Sequence, residues 1–384
     1  LGDRGMKVLI MSVTAGEGHN STARAMKSYF DAHGTECSIL DTYRYVSPAV
    51  AKLISEGYLL VSDKVKVAFG AGYRMAEKRR GGTGEKSAAR LVNTLFSDDL
   101  YDYIDGYAPD AVIFTHPFAG MIMDIMCQRH TVRAKLIGVL TDFVFHPYWE
   151  ECLMCDYVIT PSPMLNYQAK QKGFDEKSVL ALGIPINEKF SRSQPKREMR
   201  VKHGLDPAMK TILIMGGSMG YGHMAKTVRD VDRLDIGEDF QIICVCGNNE
   251  DMRNKINAYA PSAVHRILNL GFVGYVDELM DASDLIVSKP GGLTTSEALA
   301  KRLPMIIVNP IPGQESRNTA FLLNNGAAVA ASSTCPVPEL VYSLFKNPER
   351  IDAMLRNIDI LRRPNSAADV CEFTMKLCGG AERV

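Results

Sequence analysis

The sequence predicts two doubly wound α/β domains. An apolar run at residues 7–13 leads into a glycine-containing loop and then a helical pattern, and the same order returns at residues 211–223. Further apolar runs that predict strands lie at residues 111–114, 136–140, 157–160, 241–246, 285–287 and 305–308. Buried strands that alternate with helical segments are typical of parallel sheets covered by helices, so we expect one such sheet in each half.

The length of the chain fits this division. Its 384 residues exceed one ordinary hydrophobic core and suit two domains of about 150–200 residues each. A polar, proline-containing stretch at residues 187–200 separates the two sets of strands, and Pro364 interrupts the last helical pattern. We therefore expect domains at 1–190 and 200–362 and a last helical piece at 363–384.

Composition excludes several classes of protein. Lys plus Arg and Asp plus Glu both number 44, which argues against a general nucleic-acid binder. No run approaches the ~18 apolar residues of a membrane span. The nine cysteines have no disulfide-framework spacing, which favours the reducing cytoplasm. Neither glycine loop is a dinucleotide or Walker fingerprint, so an oxidoreductase or an ATPase is disfavoured.

The most informative stretch is at residues 288–318. A strand pattern ends in Ser288-Lys289-Pro290-Gly291-Gly292, where proline and paired glycines force a turn. Thr294 and Glu297 have the spacing of a capping box, which predicts a helix that starts beside the loop. A strand, a glycine loop and a helix N-terminus form a natural binding place for phosphate.

A second strand pattern at residues 304–310 ends in a polar turn that contains Gln314 and Glu315. Because the carboxyl ends of parallel strands share one edge of the sheet, this turn should lie beside the phosphate site. Amide and carboxylate groups next to a phosphate site suit the hydroxyl groups of a nucleotide sugar. The alternative is a solvated turn.

These motifs resemble the donor half of glycosyltransferase family 28, most closely its diacylglycerol glycosyltransferases. The resemblance covers nearly the whole chain. It implies the GT-B fold, with two Rossmann-like domains facing each other across a cleft and a last helix that returns to the first domain. It also implies a UDP-sugar donor substrate and no cofactor.

The resemblance implies roles for individual donor-site residues. Glu297 matches the glutamate that binds the donor's ribose, and it could equally be a capping-box carboxylate. Gln314 and Glu315 match the pair that meets the transferred sugar, and Asn318 matches a family asparagine that could instead cap a helix. The full donor set is Gly217, Ser218, Met219, Gly220, Phe272, Val273, Gly291, Gly292, Leu293, Thr294, Glu297, Gln314 and Glu315.

We expect no metal. The helix N-termini beside the two glycine loops would carry roughly half a positive charge each, enough to stabilise a leaving diphosphate. The only D-x-D, Asp230-Val231-Asp232, follows a helical pattern and is interpreted as surface charge.

The acceptor side of the resemblance lies in the first half. Gly18 and His19 end the first glycine loop, and residues 141–149 resemble the T-D-x-x-x-H-x-x-W motif of the lipid glycosyltransferases. A base must take the proton of the attacking alcohol, and the sequence leaves His19, Asp142 and His146 as candidates. Acceptor contacts are further expected from His116 and Trp149, the latter with core packing as its alternative.

Residues 60–90 are unusual in charge. Eight basic residues face three acidic ones, a net charge of +5, and apolar residues are interleaved with them. Such a segment favours contact with an anionic membrane, and a solvated helix and loop is the alternative. The basic residues singled out for membrane contact are Lys64, Lys66, Arg79 and Arg80.

The sequence therefore predicts an inverting glycosyltransferase that moves glucose or galactose from a UDP-sugar to diacylglycerol or glycosyldiacylglycerol. It would work in the cytoplasm, peripherally attached to the inner face of the cell membrane. Three alternatives remain: the cell-wall lipid I N-acetylglucosaminyltransferase, a UDP-N-acetylglucosamine 2-epimerase, and a non-catalytic nucleotide-sugar sensor.

Overall fold

The computed structural model describes residues 5–13, 17–46, 88–217 and 223–379. The chain divides into two compact units. The first contains Leu1–Glu188, Pro312–Gln314 and Asn365–Val384, and the second contains Lys189–Ile311 and Glu315–Pro364. The basic segment with Lys64, Lys66, Arg79 and Arg80, and the donor-site candidates Ser218, Met219 and Gly220, lie outside the described residues.

The first unit is built on a parallel sheet with strand order β2-β1-β3-β4-β5-β6. Its strands are β1 (Lys7–Ser12), β2 (Glu36–Asp41), β3 (Ala111–Phe114), β4 (Lys135–Val139), β5 (Tyr157–Ile159) and β6 (Val179–Leu180). The central strands are apolar on both faces because helices cover both sides. The strand order reverses between β1 and β3, and ligands of such sheets bind where the order reverses.

Helices and short 3-10 turns connect these strands. The helices are α1 (Glu17–Ala32), α2 (Thr42–Val46), α3 (Ala88–Tyr107), α4 (Pro117–Arg129) and α5 (Asn166–Gln171). The 3-10 turns lie at Pro147–Glu151, Pro163–Leu165, Glu176–Ser178 and Glu188–Phe190. No described helix is both long enough and apolar enough to cross a bilayer.

The second unit repeats the design with strand order β12-β11-β10-β7-β8-β9, again parallel. Its strands are β7 (Lys210–Met215), β8 (Phe240–Val245), β9 (Arg266–Leu270), β10 (Leu285–Ser288), β11 (Met305–Ile307) and β12 (Ala328–Ala330). Here the order reverses between β7 and β10. The loops that follow these two strands are the glycine loops noticed in the sequence.

The helices of the second unit are α6 (Lys196–Lys202), α7 (Met224–Asp232), α8 (Glu250–Tyr259), α9 (Val276–Ala282), α10 (Gly292–Ala300), α11 (Gln314–Asn324), α12 (Val337–Lys346) and α13 (Pro348–Leu361). A further 3-10 turn lies at Ala260–Ser262. The predicted fold class, two doubly wound α/β domains, is confirmed.

The last helix, α14 (Ser366–Gly379), packs on the first unit. Its Val370 is fully buried in the same apolar cluster as Val8. The Tyr29 hydroxyl donates to Glu372 Oε1 at 2.7 Å, and the Ser366 hydroxyl donates to the Ile184 carbonyl at 2.7 Å. The break between α13 and α14 falls at Pro364, as its lack of an N–H group requires.

Candidate active site

Two histidines lie where the strand order of the first sheet reverses. His19 is in the first turn of α1, after β1, and His116 lies two residues after the end of β3. Their ring centroids are 4.7 Å apart, edge to face. The Ser12 hydroxyl at the end of β1 donates to Asn20 Oδ1 at 2.7 Å, which holds the first turn of α1 on the strand. The sequence predicted that Gly18 and His19 end the glycine loop, but α1 begins at Glu17, so both residues are part of the helix.

The hydrogen bonds of His19 define its tautomer. Its Nδ1 lies 2.8 Å from the Thr115 carbonyl oxygen and 3.1 Å from the Thr141 hydroxyl oxygen. A carbonyl oxygen can only accept, so Nδ1 must carry the hydrogen and donate. In the neutral ring, Nε2 then holds a lone pair. Burial lowers the pKa of His19 to about 4, partly offset by the bond to Thr115, so the ring is neutral near pH 7.

His116 and His146 adopt the opposite tautomer. Each is the N-cap of a helical segment that starts with proline, and each ring accepts an amide hydrogen at Nδ1. The donors are the amides of Phe118 and Tyr148, both at 3.2 Å. An Nδ1 that accepts has no hydrogen, so the hydrogen of the neutral ring is on Nε2. These two histidines therefore present N–H donors, whereas His19 presents an acceptor.

The two donor histidines are also buried enough to stay neutral. Burial lowers the pKa of His146 to about 3, with smaller contributions from the charges of His19 and Lys172. Burial lowers the pKa of His116 well below its usual value, and His19 and His146 contribute further. Ring contacts link the three histidines: His19 contacts His116, and His116 connects through Phe118 and Tyr148 to His146, with centroids 4.7–5.5 Å apart at each step. The dipeptide His-Pro occurs at 116–117 and at 146–147, and it was a cap signal that the sequence prediction missed.

Asp142 lies partly buried in the loop between β4 and His146. It was predicted as a candidate base, and this role stays a prediction. At the Nδ1 atom of His19 the hydrogen-bond partners are the Thr115 carbonyl and the Thr141 hydroxyl. Gly18 is partly buried in the first turn of α1, one residue before His19.

The burial of Trp149 contradicts one of the predictions. Its side chain is 3% exposed and stacks on Phe114 with ring centroids 5.9 Å apart. A Cβ atom on Gly138 would lie 2.7 Å from the indole, so the strand must carry glycine there. Trp149 is a core residue, and the acceptor contact predicted for it is wrong. Tyr148, which is partly buried and 5.5 Å from Phe118 between ring centroids, lies beside the histidines instead.

Two glycine-containing stretches of the second unit follow β7 and β10, the strands between which its sheet reverses order. Gly217, which follows β7, has a φ of +73°, a conformation that glycine adopts without strain. After β10 the chain turns through Pro290, and α10 begins at Gly292 with Gly291 as its N-cap. A Cβ atom on Gly217 or on Gly291 would have no described atom within 4 Å. Among the described residues, none blocks the space beside these two glycines.

The predicted capping box is wrong. The first helical hydrogen bond of α10 runs from the Thr295 amide to the Gly291 carbonyl at 2.9 Å, so Thr294 and Glu297 lie inside the helix. Gly291 can serve as the cap because its backbone is extended and glycine is tolerated there. The backbone amides of Gly292, Leu293 and Thr294 lie in the first turn, before the first helical hydrogen bond. Amides in this position at a helix N-terminus are a common binding place for anions.

Because α10 begins at Gly292, Glu297 lies too far into the helix to cap it. It is partly buried in α10. Burial raises its pKa to about 8, the charge of Lys189 opposes this shift, and Asp277 adds to it. Lys189 also donates to the Gly274 carbonyl at 2.5 Å and lies 3.3 Å from Asp277 Oδ1. The sequence prediction missed this lysine. It binds the loop at residues 271–275 through Gly274, and its charge also acts on Glu297.

That loop carries the two residues expected near the uracil. Phe272 is 70% exposed and Val273 is partly buried. The loop is supported by Tyr275, whose ring stacks on His203 with centroids 4.9 Å apart.

Hydrogen bonds from α11 side chains hold the turn after β11 and the loop after β10. Gln314 is the first residue of α11, and Glu315 Oε2 accepts the Ile311 amide at 2.7 Å. Asn318 is fully buried in the middle of α11 and donates to the Pro290 carbonyl at 2.9 Å. The idea that Asn318 caps a helix is wrong, because α11 starts four residues earlier.

Two further interpretations can be compared with the structure. Asp230 pairs with Lys226 at the surface, but Asp232 is fully buried and accepts from the Tyr259 hydroxyl and two backbone amides. Asp232 is thus a structural residue and not surface charge. Within the described ranges, no group of three or more His, Cys, Asp or Glu residues is placed to bind a metal ion.

Known proteins resemble both units of this chain. Residues 19–186 match the monogalactosyldiacylglycerol (MGDG) synthase family, and residues 211–369 match the glycosyltransferase family 28 C-terminal domain. A relative from Bacillus subtilis (strain 168), a processive diacylglycerol beta-glucosyltransferase, is 28% identical over 376 residues, which cover 96% of this chain and 95% of the relative.

Solved structures agree on the fold. MurG of Acinetobacter baumannii aligns with a TM-score of 0.62 at 15% identity, over 97% of this chain and all of the other. A UDP-GlcNAc 2-epimerase of Neisseria meningitidis aligns with a TM-score of 0.60 at 15% identity and the same coverage. Together, the two family domains and the full-length relatives show that the chain belongs to glycosyltransferase family 28, of the diacylglycerol glycosyltransferase type.

Proposed function

We propose that this glycosyltransferase transfers glucose from UDP-glucose to diacylglycerol, or to a glucosyldiacylglycerol, with inversion at the anomeric carbon. Glucose is favoured over galactose because the full-length relatives are named beta-glucosyltransferases. An α-linked UDP-sugar inverted once gives a β-linked product, in agreement with those names.

The reaction is a single displacement. The acceptor hydroxyl oxygen bonds to the anomeric carbon while the bond from that carbon to the β-phosphate oxygen breaks. The electron pair of the broken bond remains on UDP, and the hydroxyl proton passes to a base on the enzyme. General-base help of this kind contributes roughly 10²–10⁴ in rate.

The observation that carries the proposal is the tautomer of His19. Of the three clustered histidines, His19 alone has its hydrogen fixed on Nδ1, by the Thr115 carbonyl, with the lone pair on Nε2. A lone pair is what a general base needs. We therefore assign the base to His19, and hydrogen-bond donation to an acceptor or sugar oxygen to His116 and His146. Asp142, in the same loop as His146, completes the polar surroundings.

The second unit would bind the donor. Amides at the start of α10 suit the diphosphate, and the carboxylate of Glu297 suits the two ribose hydroxyls. Gln314, which starts α11 and belongs to the first unit, remains the residue proposed for the transferred sugar. We propose that neither a metal nor a cofactor takes part.

A direct test is the release of UDP from UDP-glucose, with and without diacylglycerol in anionic liposomes. We expect release that depends on the lipid and a β-glucosyldiacylglycerol product. UDP-galactose and UDP-N-acetylglucosamine serve as parallel donors. An α-linked product, or release that ignores the lipid, would contradict the proposal.

The same assay separates the second candidates. The epimerase neighbour shares the fold, and an epimerase would convert UDP-N-acetylglucosamine without any lipid. A cell-wall transferase would use that donor with a lipid I acceptor. A sensor would bind UDP and turn over none of the donors.

We further propose that residues 60–90 bind the anionic inner face of the cell membrane. Their net charge of +5 and interleaved apolar residues carry this proposal, since each basic residue gains about 1 kcal/mol near an anionic bilayer. With equal numbers of basic and acidic residues overall, we expect no nucleic-acid partner.

The membrane proposal is tested by sedimentation with phosphatidylglycerol liposomes. Replacing Lys64, Lys66, Arg79 and Arg80 by Gln should weaken binding at least tenfold. The control changes the same number of charges at exposed positions of the second unit, namely Lys255, Lys346, Arg350 and Arg356. Equal losses in both variants would show that total charge, and not this segment, drives binding.

A further inference from the structure

Lys289 is a charged residue at the donor site that the donor-site prediction did not include. It is the first residue after β10, where the sheet of the second unit reverses its strand order. Pro290 and the N-cap of α10 follow it directly. Ligands of doubly wound sheets bind at this edge, so Lys289 lies beside the loop expected to hold the diphosphate.

The side chain of Lys289 is held inward. It is 17% exposed, although lysine is normally a surface residue. Its ammonium lies 3.6 Å from Glu315 Oε1, and the Glu315 side chain is itself 15% exposed. This distance is longer than the 2.7–2.9 Å of a charge-assisted hydrogen bond. The two groups therefore form an ion pair without a short hydrogen bond.

Glu315 is fixed in turn by its own chain. Its Oε2 accepts the Ile311 amide at 2.7 Å, so one oxygen is committed to the turn and the other faces Lys289. The carboxylate is thus held between the turn and the ammonium, in a fixed orientation. This geometry favours a positioning role for Glu315 over the sugar contact expected for it.

The chemistry requires positive charge at this place. When the bond between the anomeric carbon and the β-phosphate oxygen breaks, UDP gains one negative charge. A helix N-terminus supplies roughly half a positive charge, and a lysine ammonium supplies a full one. No atom of the described residues lies within 4 Å of a Cβ placed on Gly291 or Gly217, and a diphosphate at this edge would lie beside these glycines.

We propose that Lys289 binds the diphosphate of the donor and stabilises the UDP leaving group, and that Glu315 positions Lys289 for this task. The lysine keeps its proton throughout and acts by charge and hydrogen bonding. The inference rests on the proposed function, because it assumes a nucleoside diphosphate donor.

Binding measurements test the inference without turnover. Wild type, Lys289→Met and Lys289→Arg are titrated with UDP and with uridine by calorimetry. Loss of a charged hydrogen-bond partner should weaken UDP binding about 10- to 100-fold in Lys289→Met, with uridine binding unchanged and partial recovery in Lys289→Arg. The control, Lys226→Met, removes an exposed lysine of the same unit and should leave both ligands unaffected.

The outcomes separate the two claims. Wild-type protein that binds no UDP would defeat the proposed function. If wild type binds UDP and Lys289→Met binds it equally well, or loses uridine in the same proportion, the role of Lys289 is wrong.

A double-mutant cycle tests the part played by Glu315. If Glu315 acts through Lys289, then Glu315→Gln lowers kcat in the wild-type background and has no further effect in Lys289→Met. Independent, multiplying losses would show that Glu315 acts on the sugar itself and would overturn its positioning role.

Discussion

The side-chain amide of Asn318 donates a hydrogen bond of 2.9 Å to the backbone carbonyl of Pro290. This bond joins the middle of α11 to the loop that opens α10, and both partners lie in the second unit. Asn318 is fully buried, so the bond cannot be replaced by water without a change in packing. The glycine loop thus owes part of its shape to a residue 28 positions later in the chain.

Replacing Asn318 by Asp should damage this loop. The variant keeps the shape of the side chain but puts an acceptor opposite the Pro290 carbonyl, and an unpaired buried group costs about 1–3 kcal/mol. We expect a lower melting temperature and a raised KM for the UDP-sugar, measured by calorimetry and steady-state kinetics. The control is Asn325→Asp, which removes an amide donor to the Phe321 carbonyl just after the same helix. Equal effects of the two variants on KM would contradict the assignment.

Substitution of His116 by asparagine should separate its role as N-cap from its role as an Nε2–H donor. His116→Asn retains an N-cap acceptor, since asparagine is among the best caps, but loses the Nε2–H donor. We expect near-normal stability with reduced kcat. His116→Ala should lose kcat and also about 1 kcal/mol of stability, the usual cost of a lost cap. Full activity in His116→Asn would show that the ring serves only as a cap.

Binding of UDP should be linked to the protonation of Glu297. Its pKa is raised to about 8 by burial, so much of the carboxyl group is protonated at pH 7 in the free protein. The ribose hydroxyls favour the carboxylate, so UDP binding should release protons and tighten as the pH rises from 6 to 8. Calorimetry in buffers of different ionisation enthalpy measures this release. Glu297→Gln should show weaker binding and no such proton release; release that persists would assign it to another group.

Acid should destabilise the first unit through its histidines. Burial lowers the pKa of His19 to about 4 and that of His146 to about 3. The unfolded chain takes up these protons near pH 6.5, before the native state does. The free energy of unfolding should therefore fall as the pH drops below 6.5. His146→Asn keeps an N-cap acceptor without the charge, so its stability relative to wild type should improve between pH 7 and pH 5. A constant difference would contradict the lowered pKa.

The sequence was most informative about the centres of the sheets. Strands such as β1 and β7 are apolar on both faces because they are buried on both faces, so their positions were predictable. Edge strands were missed for the opposite reason. β2 mixes Glu36, Ser38 and Asp41 with apolar residues, and β9 begins with an exposed arginine, because an edge strand is partly solvated.

Errors in the predicted site came from packing that the local sequence does not encode. The Thr294–Glu297 spacing fits a capping box, but the helix can start earlier at Gly291. The burial of Trp149 depends on Gly138 and Phe114, which lie on neighbouring strands. Lys189 and Lys289 gain their importance from partners distant in sequence, Gly274 and Glu315 respectively.

The most direct test of His19 as the general base compares the rate of β-glucosyldiacylglycerol formation in wild type and in His19→Gln. Both are measured at pH 7 with saturating UDP-glucose and diacylglycerol. Because Nε2 of His19 holds the lone pair, we expect kcat to fall by roughly 10²–10⁴ while UDP binding is retained. The control is His130→Gln, a histidine of the same unit that pairs with Asp98 on the surface, and it should keep wild-type activity. A His19→Gln variant that forms the β-glucoside at the wild-type rate would contradict the assignment of the base.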